Sequence, residues 1–375
     1  MRDFQPFMME RWMSKFEQDV EYNLSESGAH PITVAELLAG DPEYTDRLLA
    51  TSLNYPYVNG TPQLRGRIAA LYEGATMDGI LVTVGAAEAN YIATRTLLSA
   101  GDEIVIMLPN YMQIWGIAKN HGLRVRTFHL REDLGWAPDL DELEHAVTGS
   151  TKLIAVCNPN NPTGHILSRA DMDAIVAAAD RVGAWILADE VYRGAERLTD
   201  EESPSFCGRY DRVVATGSLS KAYGLPGLRI GWAVAPPETI DDIWARHEYV
   251  AISATMLSNQ LAAVALSPEV RPRLIERTRG YIRKGYPLLQ EWMEGHGDTF
   301  SLTPPEAAAI AFIRYHLDIN STEFTERLRD EKSVLIVPGD HFGMDHHLRV
   351  SYGLPHDYLL PALDRIHELV AELEG

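Results

Sequence analysis

The middle of this 375-residue chain alternates short apolar runs with longer segments of helical periodicity, and this alternation restricts the fold most. Short apolar runs bounded by turn residues are typical of buried strands. When such strands alternate with helices, the pattern predicts an α/β fold with a mostly parallel sheet covered by helices. The predicted strands are 103–107 (EIVIM), 152–157 (KLIAVC), 184–188 (AWILA), 212–217 (RVVATG) and 229–235 (RIGWAVA).

Between the second and third predicted strands, residues 168–183 carry apolar side chains at helical spacing, and Ser168 stands where a helix N-cap is expected. This segment is predicted to be a helix that covers the sheet.

The C-terminal part of the chain has a different pattern, which suggests a second domain. We predict a large domain over residues 45–270 and a smaller α+β domain formed by residues 1–44 and 271–375. The C-terminal segments behind this prediction are two helices, 271–294 and 359–375, and three strand-like runs, 308–315, 333–339 and 347–353.

Composition excludes several classes of partner. The formal net charge of −20 argues against binding to nucleic acid or to an anionic membrane. No apolar stretch reaches the roughly 18 residues of a membrane span, and the charged N-terminus has no signal core. Two cysteines, Cys157 and Cys207, cannot form a disulfide framework. We therefore expect a cytoplasmic protein with no nucleic-acid or membrane partner.

Polar motifs follow the predicted strands at their carboxyl ends, where open α/β sheets bind ligands. They are NPNNPTG at 158–164, DEVYRG at 189–194 and SLSK at 218–221. An earlier segment runs from a strand through Gly85 into a helix, and the first backbone amides of such a helix can bind an anion. The sequence therefore predicts a ligand site at this edge of the sheet.

Lys221 is the most informative residue of these motifs. It lies among small residues and glycines in SLSKAYGLPGLRIGW (218–232), directly after a run predicted to be buried. Lysine is rarely buried unless it is paired or used chemically. Taken alone, Lys221 is either a solvated loop cation or an amine that the fold presents to a ligand.

Taken in order, NPNNPTG, DEVY, SLSKAYGLPGLRIGW and a late RVS at 349–351 resemble the pyridoxal-phosphate (PLP) enzymes of the class I/II aminotransferase family. The resemblance covers essentially the whole chain. It implies the aspartate aminotransferase fold (fold type I), in which a large PLP-binding domain carries the parallel sheet. It also implies transfer of an amino group from an L-amino acid to a 2-oxo acid, with pyridoxal 5'-phosphate as cofactor.

The resemblance assigns roles to residues of this chain. Lys221 would form the Schiff base with PLP, Asp189 would pair with the pyridine nitrogen, and Tyr192 would contact the ring oxygen and complete the catalytic set. The further positions are Ala86, Ala87, Ser218 and Arg229 at the phosphate, Asn161 at the ring oxygen, Tyr111 stacked on the ring, Gly28, Asn161 and Arg349 at the substrate, and Tyr55 at the phosphate of a neighbouring subunit. The last position implies a homodimer with shared active sites.

Elementary chemistry explains these residue types. A lysine among cationic and polar groups has a lowered pKa, so its amine can attack an aldehyde and then move a proton. Arginine binds a carboxylate with two parallel hydrogen bonds. The phosphate turn departs from the family pattern, because Ala86 and Ala87 stand where many relatives have hydroxyl or glycine residues. Ser218 and Arg229 are therefore expected to bind more of the phosphate.

Two other functions remain open at this point. The segment 24–40 (LSESGAHPITVAELLAG) resembles capreomycidine synthases, PLP enzymes that cyclise a hydroxylated arginine. That similarity favours elimination, replacement or cyclisation at the β or γ carbon of an arginine-like amino acid, and Glu26 and His30 could favour such a basic side chain or could be solvated loop residues. A transcription regulator is disfavoured, because the chain has no room for a DNA-binding module.

Residues 340–347 (DHFGMDHH) contain three histidines and two aspartates. Their spacing fits no familiar zinc motif. We predict no metal site there, and expect a solvated loop that leads to the strand of Arg349.

Overall fold

The computed structural model describes residues 4–39 and 42–375, so residues 1–3 and 40–41 of the predicted smaller domain lie outside the described part. The strands are β1 (Tyr22–Asn23), β2 (Ile80–Val84), β3 (Glu103–Leu108), β4 (Arg124–Arg131), β5 (Ala137–Pro138), β6 (Thr151–Cys157), β7 (Trp185–Asp189), β8 (Val213–Ser218), β9 (Ile230–Val234), β10 (Phe300–Ser301), β11 (Ile310–Tyr315), β12 (Val334–Leu335), β13 (Val337–Pro338) and β14 (His347–Ser351).

Helices occupy most of the chain between these strands. They are α1 (Met8–Phe16), α2 (Val34–Leu37), α3 (Pro42–Leu49), α4 (Pro62–Ala69), α5 (Gly85–Leu97), α6 (Gln113–Asn120), α7 (Leu140–Ala146), α8 (Arg169–Val182), α9 (Pro237–His247), α10 (Met256–Ala265), α11 (Arg271–Glu294), α12 (Ser321–Lys332) and α13 (His356–Glu374). In the described ranges, no helix combines the length and the apolar character that a membrane span requires.

The large sheet has the strand order β2-β9-β8-β7-β6-β3-β4-β5. The pairs from β8 through β7, β6 and β3 to β4 are parallel, whereas β9 runs antiparallel to both β8 and β2. The predicted mostly parallel sheet is therefore confirmed. An antiparallel β9 explains how the chain returns across the sheet directly after the motif that contains Lys221.

Both faces of this sheet are buried, as the continuous apolar runs require. Along β3, Ile104 and Ile106 pack in one apolar cluster, whereas Val105 and Met107 pack in the other. Successive side chains of a strand point to opposite faces, so one strand contributes to two cores. This double burial leaves the strand ends as the place where polar side chains can meet.

The helix predicted after β6 forms as its cap indicates. Ser168 Oγ accepts a hydrogen bond of 3.1 Å from Asp171 N, and the Asp171 carboxylate accepts one from Ser168 N. Such a cap stabilises a helix by about 1 kcal/mol. It places the start of α8 close behind the NPNNPTG turn.

A second sheet lies in the C-terminal part, with the order β10-β11-β14-β13. The strand-like run 333–339 is interrupted at Ile336: β12 pairs with β1, and β13 pairs with β14. Ile336 accepts a hydrogen bond of 2.9 Å from Trp12 Nε1 of α1. The N-terminal segment thus packs on the C-terminal part, and the boundaries 1–44, 45–270 and 271–375 stay a prediction.

Candidate active site

A cavity of about 390 Å³ opens at the carboxyl ends of β6, β7 and β8, where the polar motifs were expected to meet. Most of the residues singled out from the sequence line it. They are Ala86, Ala87, Tyr111, Asn161, Asp189, Tyr192, Ser218, Lys221, Arg229 and Arg349.

The N-terminus of α5 forms one end of the cavity. Gly85 has φ +76°, and a Cβ there would lie 2.6 Å from Arg229 Nη2, so the guanidinium covers the first turn of the helix. Gly231 on β9 is equally constrained, because a Cβ there would collide with Ala86 N. Free backbone amides beside an arginine form an anion site suited to a phosphate group.

Asp189 lies at the floor of the cavity, at the end of β7. Its Oδ2 accepts a hydrogen bond of 2.8 Å from Asn90 Nδ2, and Asn90 Oδ1 accepts one of 2.9 Å from Thr216 Oγ1. Burial raises the pKa of Asp189, and the Asn90 hydrogen bond opposes that rise. The carboxylate is therefore held in one orientation, ready for a cationic nitrogen of a ligand.

Sequence reasoning missed Asn90 and Thr216. Asn90 lies one turn of α5 after Ala86, and Thr216 lies two residues before Ser218 on β8. Their spacing from the motifs could have identified them. Residues i and i+4 of a helix share a face, so Asn90 lies on the same face as Ala86, and residues i and i+2 of a strand share a face, so Thr216 lies on the same face as Ser218.

Lys221 is half-buried in the loop after β8 and lines the cavity. Burial lowers the pKa of its amine; Glu26 and Glu10 oppose this shift, whereas Arg349 and Arg229 add to it. Within residues 4–39 and 42–375, no group forms a hydrogen bond or ion pair with Nζ. The amine is thus available to a ligand.

Gly28 lies against the stem of this lysine. A Cβ at Gly28 would stand 3.1 Å from Ser220 O and 3.6 Å from Lys221 Cδ. The absence of a side chain there lets the N-terminal segment approach the lysine closely.

Arg349 lies on β14 with only 1% of its surface exposed. Its Nη1 donates to Asn161 Oδ1 at 3.1 Å and its Nη2 to Ser25 O, while Nε has no partner in the described chain. Burial lowers the pKa of this guanidinium. No described carboxylate forms an ion pair with it. A buried cation with only neutral partners is an expected site for an anionic ligand group.

Tyr192 presents an unused hydroxyl to the same cavity. The residue is 1% exposed, and among the described groups none meets hydrogen-bond geometry with Oη, although Ser27 lies beside it. Burial raises the pKa of the phenol, and the Arg349 charge opposes that rise. Buried polar atoms are normally paired, so this one is suited to a ligand oxygen.

The N-terminal segment closes the cavity opposite the sheet. The resemblance implied that Gly28 lies at the substrate and that Glu26 could contact it, but the contribution of α1 was not anticipated. Glu10 Oε1 accepts a hydrogen bond of 2.6 Å from Tyr111 Oη, and Phe7 packs edge-on against Tyr111 with ring centroids 5.1 Å apart. We call this side the N-terminal wall. The sheet wall is the other side, formed by Ala86, Ala87, Tyr111, Asn161, Asp189, Tyr192, Ser218, Lys221 and Arg229. The N-terminal wall consists of Phe7, Met9, Glu10, Met13, Glu17, Glu26 and Ser27.

Two candidates lie elsewhere. Tyr55 does not line the cavity and is 82% exposed. His30 packs against Tyr281 outside the cavity, with ring centroids 5.7 Å apart, whereas Glu26 does line it. Within this one chain, neither Tyr55 nor His30 reaches the cavity.

The expectation of a solvated loop at 340–347 is wrong in part: Phe342 and His347 are buried in the packing around β14, whereas Asp340, Asp345 and His346 are exposed. His347 stacks on Phe312 with ring centroids 4.8 Å apart, and His341 packs near Trp12. Across the described residues, no group of three His, Cys, Asp or Glu side chains is arranged to hold a metal ion. Cys157 is buried at the end of β6, and burial raises the pKa of its thiol.

The residues that line the cavity fit pyridoxal phosphate. The anion site at α5 matches the phosphate, the oriented Asp189 carboxylate matches a ring nitrogen, and the unpartnered Tyr192 Oη matches a ring oxygen. The free amine of Lys221 can hold the aldehyde.

Comparisons with known proteins agree with this geometry. The chain is 30% identical over 371 residues to capreomycidine synthase of Streptomyces vinaceus, covering 96% of this chain and 92% of that protein. It is 29% identical over 361 residues to arginine–pyruvate transaminase of Pseudomonas aeruginosa, covering 90% of both. A crystal structure of a PLP-dependent aminotransferase from Streptococcus suis 89-1591 superposes with a TM-score of 0.93 at 30% identity, covering 100% of this chain and 99% of that one.

The expected aspartate aminotransferase fold is confirmed, because the structure superposes on aspartate aminotransferase of Thermus thermophilus with a TM-score of 0.88 at 24% identity, covering 98% of this chain and 97% of that one. The profile of the family described as aminotransferase class I and II matches residues 41–366. This protein therefore belongs to the class I and II aminotransferase family, and its cofactor is pyridoxal phosphate.

Proposed function

We propose that this protein is an aminotransferase that moves an amino group from an L-amino acid to a 2-oxo acid. The observation that carries the proposal is that one cavity holds both a lysine amine and a buried arginine, and that neither forms an ion pair with any described residue. The Lys221 amine would act at the α-carbon of the substrate, and Arg349 would bind the carboxylate that both the amino acid and the 2-oxo acid carry.

The sheet wall would hold the cofactor. The amides of Ala86 and Ala87, the Ser218 hydroxyl and the Arg229 guanidinium would bind the phosphate, Tyr111 would lie against the ring, and Asn161 and Tyr192 would face the ring oxygen. Asp189 would keep the ring nitrogen protonated, and Lys221 would attach to the aldehyde. When bound in this way, pyridoxal phosphate supplies an electron sink that makes the bonds of the substrate α-carbon labile.

Once the substrate amine has displaced Lys221 from the aldehyde, the freed lysine amine would act as the proton carrier. Burial lowers the pKa of this amine, which favours the neutral form, the one that can accept a proton from the α-carbon, more than in a solvated lysine. The same nitrogen would return that proton at the adjacent carbon of the cofactor. Gly28 leaves the lysine stem the room in which to swing.

Arg349 would orient the substrate. A bidentate pair with the α-carboxylate would replace its present neutral contacts with Asn161 and Ser25. Because the guanidinium lies on a paired strand, β14, the carboxylate and thus the α-carbon would be held at one position relative to Lys221.

The proposed active form is a homodimer. Tyr55 belongs to an exposed apolar stretch with Leu49, Leu53 and Tyr57, and such a patch is typical of an interface. In a two-fold dimer Tyr55 would reach the phosphate of the neighbouring subunit. Light scattering at working concentrations tests this: we expect a dimer, and a fully active monomer would contradict the arrangement.

Transamination is tested by a single half-reaction. The holoenzyme is mixed with an amino donor and no acceptor, and the 2-oxo acid released is measured. We expect one equivalent per subunit and then arrest, with turnover resuming when a second 2-oxo acid is added. Release of ammonia, or continued turnover without acceptor, would contradict transamination.

A second candidate is cyclisation, elimination or replacement on an arginine-like amino acid. It is favoured by the similarity to capreomycidine synthase, which covers 96% of the chain, and by the resemblance of the segment 24–40 to such enzymes. The same half-reaction separates the two proposals. A cyclic product formed from a hydroxylated arginine without any 2-oxo acid would establish the second one.

A further inference from the structure

The N-terminal wall carries three carboxylates, Glu10, Glu17 and Glu26, and all three line the candidate active-site cavity. Each is half-buried. Burial raises the pKa of Glu17, and the charges of Glu26 and Glu10 add to that rise, so both lie close enough to Glu17 to repel its carboxylate. Like charges on one wall are unfavourable unless a cation joins them.

No cation of the described chain forms an ion pair with these carboxylates, although the charges of Lys221 and Arg349 act on Glu10 and Glu26 from across the cavity. No lysine, arginine or histidine nitrogen in residues 4–39 and 42–375 comes within 4.0 Å of these three carboxylates. Glu10 accepts one hydrogen bond, from Tyr111 Oη, which holds it toward the cavity. The wall therefore carries negative charge that a ligand can neutralise.

This inference rests on the proposed function, in which the two arginines of the cavity bind groups other than the three glutamates. Arg229 faces the phosphate site, and Arg349 faces the substrate carboxylate. Asp189, the remaining acid of the cavity, faces the ring nitrogen. Only Lys221 is left to balance three glutamates, and its amine must lose a proton during turnover.

Arg349 supplies the independent observation that a ligand belongs here. It is 1% exposed, its Nε has no partner among the described atoms, and it lines the same cavity. A ligand that satisfies both sides has a carboxylate at Arg349 and a cation at the N-terminal wall. An amino acid with a basic side chain has this distribution of charge.

We propose that Glu10, Glu17 and Glu26 bind the guanidinium of an arginine-like amino acid substrate and so determine its specificity. A guanidinium offers five N–H donors in a planar fork, which can serve several carboxylates at once, whereas an ammonium offers three donors at one point.

The test uses a probe that cannot react. 5-Guanidinopentanoic acid has the carboxylate and guanidinium of arginine but no α-amine, and 5-ureidopentanoic acid is its neutral isostere. Calorimetric titration of the PLP-loaded enzyme should show the guanidino acid binding about ten-fold or more tightly than the ureido acid. Equal affinities, or tighter binding of the ammonium analogue 6-aminohexanoic acid, would overturn the proposal.

Variants locate the effect. Glu17→Gln and Glu26→Gln should each weaken binding of the guanidino acid about ten-fold while leaving the ureido acid unchanged. Asp19→Asn is the matched control, because Asp19 is an exposed acid of the same segment that does not line the cavity. Loss of affinity for both probes in the glutamate variants would mean a structural role and would overturn the assignment.

Failure of this inference is distinguishable from failure of the proposed function. If glutamate or alanine releases one equivalent of 2-oxo acid but the probes bind equally, transamination stands and the guanidinium site is wrong. If the probes discriminate by charge but no donor releases a 2-oxo acid, the guanidinium site stands and transamination is wrong.

Discussion

The two walls of the cavity differ in how they are built. The sheet wall stands on β6, β7 and β8, strands buried on both faces, and its key groups are oriented by buried partners such as Asn90 for Asp189. The N-terminal wall stands on the nine-residue α1 and the two-residue β1, and its glutamates are half-buried. A rigid scaffold suits the chemistry, while a short segment can change substrate preference without disturbing it.

The largest effect is expected from Lys221→Ala on the sheet wall. Removal of the amine should lower kcat by about 10⁴-fold, because both the attachment point and the proton carrier are lost. Borohydride treatment followed by peptide mass analysis should no longer find cofactor bound at position 221. Lys152→Ala, at an exposed lysine of β6, is the control and should behave as the unchanged protein. Retained turnover in Lys221→Ala would require another base.

Asp189→Asn should have the next largest effect. Replacing the carboxylate by a neutral amide would remove the proposed charge-assisted hydrogen bond to the ring nitrogen, which should lower kcat/KM by about 10- to 100-fold. The cofactor absorbance should also shift toward that of the unprotonated ring. An unchanged spectrum and rate would show that Asp189 merely caps the start of the following turn.

Alanine substitutions at two glycines, one beside each wall, test which wall tolerates an added methyl group better, as measured by the free energy of unfolding. Gly231→Ala should destabilise the protein by about 1–3 kcal/mol and weaken cofactor binding, because its methyl group meets the backbone of Ala86 in a packed sheet. Gly28→Ala should cost less than about 1 kcal/mol, since its nearest contact, Ser220 O, is 3.1 Å away and the N-terminal segment can shift. Urea unfolding of both variants measures the difference. A larger cost at Gly28 would reverse the comparison.

The smallest effect is a pH dependence at the N-terminal wall. The pKa of Glu17 is raised above 4.5 by burial and by Glu26 and Glu10, so Glu17 gains its charge at a higher pH than an ordinary glutamate. Binding of 5-guanidinopentanoic acid should therefore strengthen a few-fold from about pH 5 to pH 7, since the probe guanidinium stays protonated throughout. Calorimetry across this range measures it. The same slope in Glu17→Gln would assign the titration to another group.

Much of the sheet wall was predictable. The apolar runs fall within one or two residues of β3, β6, β7, β8 and β9, and NPNNPTG, DEVYRG and SLSK stand at the expected strand ends. Strand identity depends on local periodicity, and strand ends of a parallel sheet meet at one edge. The positions of Asp189, Lys221 and Asn161 in one cavity therefore followed from short-range patterns.

The contacts that hold the site residues in place could not be predicted from the sequence. Asn90 orients Asp189 across 99 residues of sequence, and Tyr111 meets Glu10 across 101. The run 333–339 was predicted as one strand but is divided at Ile336, because Trp12 and β1 take one part of it. Each of these contacts depends on which elements pack together, and local propensity does not encode that.

By itself, the sequence determined the α/β class, the order of the polar motifs and the chemistry that their residue types allow. These properties depend on side-chain periodicity and on functional groups that lie a few residues apart. Only the tertiary structure decided that α1 closes the cavity and that Glu10 and Glu17 join Glu26 opposite Lys221. Contacts such as Arg349 with Ser25, 324 residues apart, form through packing of the whole chain, so no local pattern could predict them.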